Sequence, residues 1–342
     1  MLSNALLVGL MTLAAASGLA VLRVAQPDRR ARVPRGLLPA CSITLAASVA
    51  AVFAVAVHDD VAPTAHATPT ISRRASLAEV LNLVSASTTI NHVPRDLVPP
   101  LSHVSDSSNF GAPPGQCWPG VNSSTVPACA FGDTTSTRTM VLYGDSHAAM
   151  WFDALDDDAR SAHWKLDVIS KGSCPAVDLS VHAPLARGEW AACDEWHRFA
   201  RARIAQDRPQ LVVVSQALTY GAPDGTLFST VAWQRAMATL LQALPGRKVV
   251  IGDIPFGGNL DCLLAHPTAL QRCSRAAPPA IDQAEQRAAR TAGATFVDTT
   301  PWFCAARCSV VIGNYSPYYL AEHVAVGYSE FLEGVLSKAI GL

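Results

Sequence analysis

The chain has 342 residues, half of them hydrophobic, 15% charged, with a formal net charge of −1. A near-neutral balance offers no basic surface for a nucleic acid or another polyanion, and the charge content is below that of an ordinary soluble domain. The length accommodates one full-sized domain with additional segments.

The missing charge is concentrated at the start. Met1–Leu22 and Gly36–Val57 contain no Asp, Glu, Lys or Arg, and each is about the 20 residues that span a bilayer as a helix. A signal peptide would carry a basic segment before its apolar core; no Lys or Arg precedes the first run. Between the runs lie Arg23, Arg29, Arg30, Arg32 and Arg35 against Asp28, which places that loop in the cytoplasm by the positive-inside rule. The two runs therefore read as transmembrane helices within residues 1–60, with everything beyond on the outer side of the membrane.

Residues 61–114 are rich in Pro, Ser, Thr and Ala and read as an extracytoplasmic linker with a short helix over Ser76–Val84. From Thr139 the texture changes. Met140–Tyr143, ending at Gly144, is an apolar run of strand length. Further strands are expected at Leu166–Ser170, Leu211–Ser215, Lys248–Asp253 and Thr295–Asp298. Helices are expected at Ala148–Ala162, Glu189–Gln206, Thr230–Leu244, Ile281–Ala292 and Glu322–Ile340. Strands alternating with helices predict an α/β/α domain around a parallel sheet over residues 115–342, with its site at the carboxyl ends of the strands.

Cys41 lies in the second membrane run. The remaining eight cysteines are Cys117, Cys129, Cys174, Cys193, Cys262, Cys273, Cys304 and Cys308. An even number in an exported domain implies disulfides. Short loop closure favours 117–129, 174–193, 262–273 and 304–308, although a sequence does not fix connectivity. No second Cys or His pair stands at zinc-site spacing from Cys304 and Cys308. Neither a metal nor a cofactor is expected.

Gly144-Asp145-Ser146-His147 follows the first apolar strand. A glycine there permits a tight turn, and a helix beginning at Ser146 offers free N–H groups to an oxyanion beside a serine nucleophile. Alone, Asp-Ser at this place is as readily a helix N-cap. In context, Tyr143-Gly144-Asp145-Ser146-His147 resembles the first block of the SGNH hydrolase family. More narrowly, residues 115–342 resemble the SGNH domain fused to membrane acyltransferases of acyltransferase family three. Lys171-Gly172-Ser173-Cys174-Pro175 resembles the second block, Cys193-Asp194-Glu195-Trp196 its Cys-containing helix start, Asp261-Cys262-Leu263 its disulfide loop, and Tyr318 to Ala325 its last block. Arg23-Val24-Ala25-Gln26-Pro27-Asp28-Arg29-Arg30 is similar to the loop after the last helix of that family's membrane bundle, with Gln26 where Glu is usual.

The resemblance implies Ser146 as nucleophile, His323 as general base, and the N–H groups of Ser146 and Gly172 as oxyanion donors. Two departures stand out. Leu320 occupies the place of the Asp that would orient His323, so a Ser146–His323 dyad is the default, with Glu322, adjacent to His323, as a disfavoured substitute because neighbouring side chains diverge. The family's third-block Asn is absent, leaving Gln216 and Asn259 as weak candidates for a further oxyanion donor. The resemblance implies acyl transfer, acetyl in the first instance, to a cell-envelope glycan or glycolipid, or the reverse hydrolysis. It also implies an acyl donor available outside, or delivered by a separate membrane bundle standing in for the helices this chain lacks. A scaffold that binds glycan without turning it over is the reading from a different class. His147 is expected to cap or pack, Lys171 to face solvent, and Trp190, Trp196 and Trp302 to pack in the interior rather than to line a cleft.

Overall fold

The computed structural model describes residues 73–342 except 185–187, 256–259, 279–281 and 321. Both expected membrane runs, the Arg-rich loop and Asn259 lie outside the described residues. Among the described residues no helix is long and apolar enough to cross a membrane.

A mostly parallel sheet forms the centre. Its strands are β1 (Ala130–Gly132), β2 (Thr139–Gly144), β3 (Lys165–Ser170), β4 (Leu211–Ser215) and β5 (Arg247–Ile251); after a short β6 (Arg275–Ala276), β7 (Thr295–Val297) completes it. Their order is β1-β3-β2-β4-β5-β7, with β1 alone antiparallel to its neighbour. The strands are apolar on both faces because both faces are covered. Met140, Leu142, Leu166, Val168, Leu211, Val213, Val249 and Ile251 enter one core. The alternate residues Val141, Tyr143, Ile169, Val212, Val214 and Val250 enter the other. The first core is shared with Phe152–Ser161, Val326–Phe331 and Glu333–Ile340, the second with Ala191–Asp207, Thr230–Ala243 and Gln283–Thr291. The result is the expected α/β/α arrangement.

Three expectations shift. Ala148–Ala162 divides into Ser146–Ala149 and Phe152–Ser161. Glu322–Ile340 begins later, at Val326, because β9 (Tyr318–Tyr319) and β10 (His323–Val324) pair antiparallel ahead of it, and it breaks at Leu332. The linker is the largest change. Leu77–Ser87 is a helix capped by Ser76, which accepts from the Glu79 N–H. Ala75, Val80, Val84 and Val98 join the core of one sheet face, while Leu97 and Val104 bury with Leu260 and Val310. Its apolar residues fall where the domain has apolar surface to cover, so residues 73–104 pack as part of it.

Four disulfides join Cys117–Cys129, Cys174–Cys193, Cys262–Cys273 and Cys304–Cys308, the local pairs expected. The last lies where β8 (Arg307–Cys308) pairs with β6.

Candidate active site

Strand β2 is where the chain reverses direction across the sheet: β3 lies on one side of it and β4 on the other. Ligands of open parallel sheets bind at such switch points, beyond the carboxyl ends of the strands. Ser146 begins the helix that follows β2, and Asp145 caps it by accepting from the His147 N–H at 2.7 Å. Gly144 makes the elbow possible. Its φ is +154°, and a Cβ there would collide with the Ser215 carbonyl of β4. The Gly172 turn follows β3 directly, fixed by bonds from Lys171 N to Gly144 O and from Cys174 N to Lys171 O, each 3.1 Å. The Cys174–Cys193 disulfide anchors the same turn to the helix Ala191–Asp207. Among the described residues, neither the Ser146 nor the Gly172 N–H has a hydrogen-bond acceptor. Two free donors beside a serine are what an oxyanion requires.

A cavity of about 180 Å³ lies in front of Ser146, lined also by His147, Ser173, Thr219, Tyr220 and Glu322. Beneath it is a buried polar network. Besides the His147 N–H, Asp145 accepts from Ala217 N at 3.0 Å and from the Tyr220 hydroxyl at 2.6 Å. Burial raises the Asp145 pKa, while the charge on His147 and these hydrogen bonds lower it. The His147 ring is not merely packed. Its Nδ1 lies 2.6 Å from Asp253 Oδ1. Asp253 follows β5 and is itself held by the N–H groups of Ile254 at 2.8 Å and Leu218 at 3.2 Å. Burial works against a charge on His147, but the Asp253 carboxylate outweighs it, with help from Asp145 and Glu322, and the pKa stands at about 9.

His323 is near but unpartnered. Its ring centre is 4.8 Å from that of His147 and 4.9 Å from that of Phe110. Both ring nitrogens are buried without a hydrogen-bond partner, and no described hydrogen bond joins it to Ser146. Burial, then the charge on His147, hold its pKa down at about 3. Leu320, at the place of the missing acid, is 56% exposed on the β9–β10 turn. Glu322, in the turn, lines the cavity, whereas the ring of His323, the first residue of β10, packs against Phe110. The structure thus places Ser146 and Glu322 on one cavity, puts the Gly172 turn at the adjoining end of β3, sets the His323 ring against that of His147, and supplies no acid to orient His323 among the described residues.

Other expectations are corrected. Gln216 does not face the cavity: its amide nitrogen donates to Glu285 at 2.7 Å, and its oxygen accepts from Val177 N at 3.2 Å. Lys171 is buried, not solvent-facing. Its Nζ donates to the carbonyls of Gly120 at 2.9 Å and Val121 at 2.7 Å, over the Trp190 ring, and burial lowers its pKa to about 8. Trp190, Trp196 and Trp302 are buried in the cores. Cys174, Cys193 and His197 cluster within 4.8 Å, but the sulfurs are joined to each other and so do not serve as thiolate ligands. Asp253 and Tyr220 were not singled out by sequence; the available signal was their position just beyond the carboxyl ends of β5 and β4.

Leu320 has a φ of +50°, a region in which a residue with a Cβ loses about 1–2 kcal/mol and Asn is better tolerated. Leu320→Asn is therefore expected to raise the unfolding free energy by up to about 1 kcal/mol, measured by urea denaturation. A loss of stability would contradict this account of the turn.

No curated protein matches the sequence. Among solved structures, the chain is similar to the periplasmic domain of a lipopolysaccharide acetyltransferase from Salmonella ser. Paratyphi A, at 14% identity and a TM-score of 0.42, covering 79% of this chain and 100% of that one. It is also similar to a carbohydrate acetylesterase family member from Sinorhizobium meliloti, at 12% identity and a TM-score of 0.35, covering 60% of this chain and 100% of that one. The family model of the SGNH domain (fused to AT3 domains) matches residues 116–335, which span the elbow, the Gly172 turn and the β9–β10 hairpin, and the chain belongs to that family.

Proposed function

We propose that this chain is a membrane-anchored, extracytoplasmic O-acyltransferase or acylesterase, acting on a cell-envelope glycan or glycolipid through an acyl-serine intermediate, with acetyl as the acyl group. The observation that carries the reading is Ser146 at the switch-point elbow, facing a cavity, with its own N–H and that of Gly172 unclaimed. Ser146 Oγ attacks the acyl carbonyl of the donor, and His323 takes its proton. The two N–H groups hold the oxyanion, the donor's leaving group departs carrying the proton from His323, and the acyl group remains on Ser146. A sugar hydroxyl or water then accepts it. The two apolar runs at the start of the chain supply the anchor, and a separate membrane bundle is the proposed source of the acyl donor.

The test is a fluorophosphonate probe on the purified chain together with acyl transfer from an acetyl ester. Labelling is expected and should vanish in Ser146→Ala, with a loss of transfer on the order of 10⁴-fold or more. A second reading, a scaffold that positions glycan for another acyltransferase, is favoured by the outward-facing Leu320 and by the unpartnered nitrogens of His323. Folded wild-type protein that takes no probe would establish the scaffold and sink the enzyme.

A further inference from the structure

The best-held acid–base pair near Ser146 is one that this mechanism does not use. His147 and Asp253 are both buried, at 5% and 10% side-chain exposure, and joined at 2.6 Å. Asp253 cannot swing away, because two backbone N–H groups grip its oxygens. A carboxylate fixed on Nδ1 is the arrangement that sets the tautomer of a catalytic imidazole. It leaves Nε2 as the nitrogen available to the cavity that His147 shares with Ser146. Side chains one residue apart on a helix do not face each other, so His147 addresses the space in front of the serine rather than Ser146 Oγ itself. That space is where an acyl acceptor must stand.

We propose that His147, positioned by Asp253, is a second catalytic histidine that takes the proton of the acyl-acceptor hydroxyl. This rests on the acyl-serine reading above and assigns its second half. Neutral His147 accepts the acceptor's proton at Nε2 as the acceptor oxygen bonds to the acyl carbon. The tetrahedral intermediate then collapses, the bond from the acyl carbon to Ser146 Oγ breaks, and the departing serine oxygen takes a proton from the solvent in the cavity, to which Nε2 releases the one it holds. His147 ends neutral, and no further reactant is consumed.

The charged and titratable groups facing His147 are Asp253 after β5, Asp145 before the helix, and Glu322 and His323 from the β9–β10 hairpin; Tyr220 reaches it through Asp145. The three carboxylates favour the imidazolium. At neutral pH the accepting form is therefore a minority, and turnover rises with pH until about 9. Acylation of Ser146, which draws on His323, lacks this rise.

The test uses the full chain with p-nitrophenyl acetate as donor and water as acceptor, after subtraction of the Ser146→Ala rate at each pH. Steady-state turnover by the wild type should rise about tenfold per unit between pH 6 and 8, as expected for one base titrating above that window. His147→Gln should keep the initial nitrophenol burst and the fluorophosphonate labelling, while steady-state turnover falls on the order of 10²-fold or more and its pH dependence disappears. Asp253→Asn should move the turnover midpoint down by at least about one unit, since that carboxylate is what holds the imidazolium; a merely structural role would leave the midpoint in place. Should His147→Gln not fold, the wild-type and Asp253→Asn profiles decide. Labelling at Ser146 with turnover flat from pH 6 to 9, or His147→Gln turning over at the wild-type rate, overturns the role of His147 alone. Folded wild type that takes no probe overturns the acyl-serine reading together with it.

Discussion

Gly144→Ala is expected to destabilise the domain by about 3–5 kcal/mol, summing a strained backbone with a steric overlap that neither neighbour can relieve cheaply. Gly144 pairs directly with Ser215 across β2 and β4. An added methyl would meet the Ser215 carbonyl and, at 2.9 Å, the Cβ of Ala148. The first of these is backbone in the middle of the sheet, so relief requires β2 and β4 to part. The φ of +154° compounds the cost, because L side chains rarely adopt it. Gly120→Ala is the control: nothing lies within 4 Å of its added Cβ, and a change within about 0.5 kcal/mol is expected. Urea unfolding of the two variants measures the difference. Equal stabilities would refute the close approach of the strands at the elbow.

Stability should also fall as pH rises from about 6.5 to 8. Burial raises the Asp282 pKa from 3.8 to about 9, assisted by the nearby Glu285, Asp253 and Asp298 carboxylates. His147 moves from 6.5 to about 9: burial opposes the shift and the Asp253 carboxylate drives it. In both cases the folded state holds its proton at a pH where the unfolded chain has lost it. The stabilisation is complete below the unfolded value and drains away as pH approaches the folded one. Two such groups titrating together across 1.5 pH units set a ceiling of about 4 kcal/mol. Buried Glu285, raised to about 7, adds to the fall up to that pH. His323 acts in the opposite sense below 6.5 and Lys171 above about 8, so the window between them is the cleanest. Asp282→Asn should flatten the profile there in thermal unfolding, and a slope unchanged by that substitution would remove Asp282 as a cause.

Much of the fold was legible in the sequence because its signals are local. The central parallel strands carry unbroken apolar runs, Met140–Tyr143 in β2 and Leu211–Val214 in β4, a pattern imposed by burial on both faces. The four disulfides close short loops, so the local pairing favoured by chain order is the one observed. Gly144-Asp145-Ser146 combines the turn, the cap and the candidate nucleophile in adjacent residues, so its place at the strand end is legible from the chain alone. The failures share the opposite character. Residues 73–104 read as a tether with one short helix because their Pro, Ser and Thr content hides what the apolar side chains cover; what recruits them is apolar surface contributed by distant segments. His323 was expected at the start of a helix, but pairing with Tyr319 drew it into a hairpin.

The candidate site divides in the same way. The sequence by itself pointed to Ser146 as the candidate nucleophile, to the Gly172 turn and to Leu320 at the place expected for an orienting acid, since each is read from contiguous residues. Only the tertiary structure decided what surrounds them. Gln216 is turned toward Glu285, Lys171 is folded inward onto two carbonyls, and Asp253, 106 residues from His147, is brought against its ring. The reason is physical: β2 and β5 lie in one sheet with β4 between them, and their carboxyl ends converge however far apart they are in the chain. A carboxylate can hold an imidazole only across a hydrogen bond, and that proximity is set by strand order.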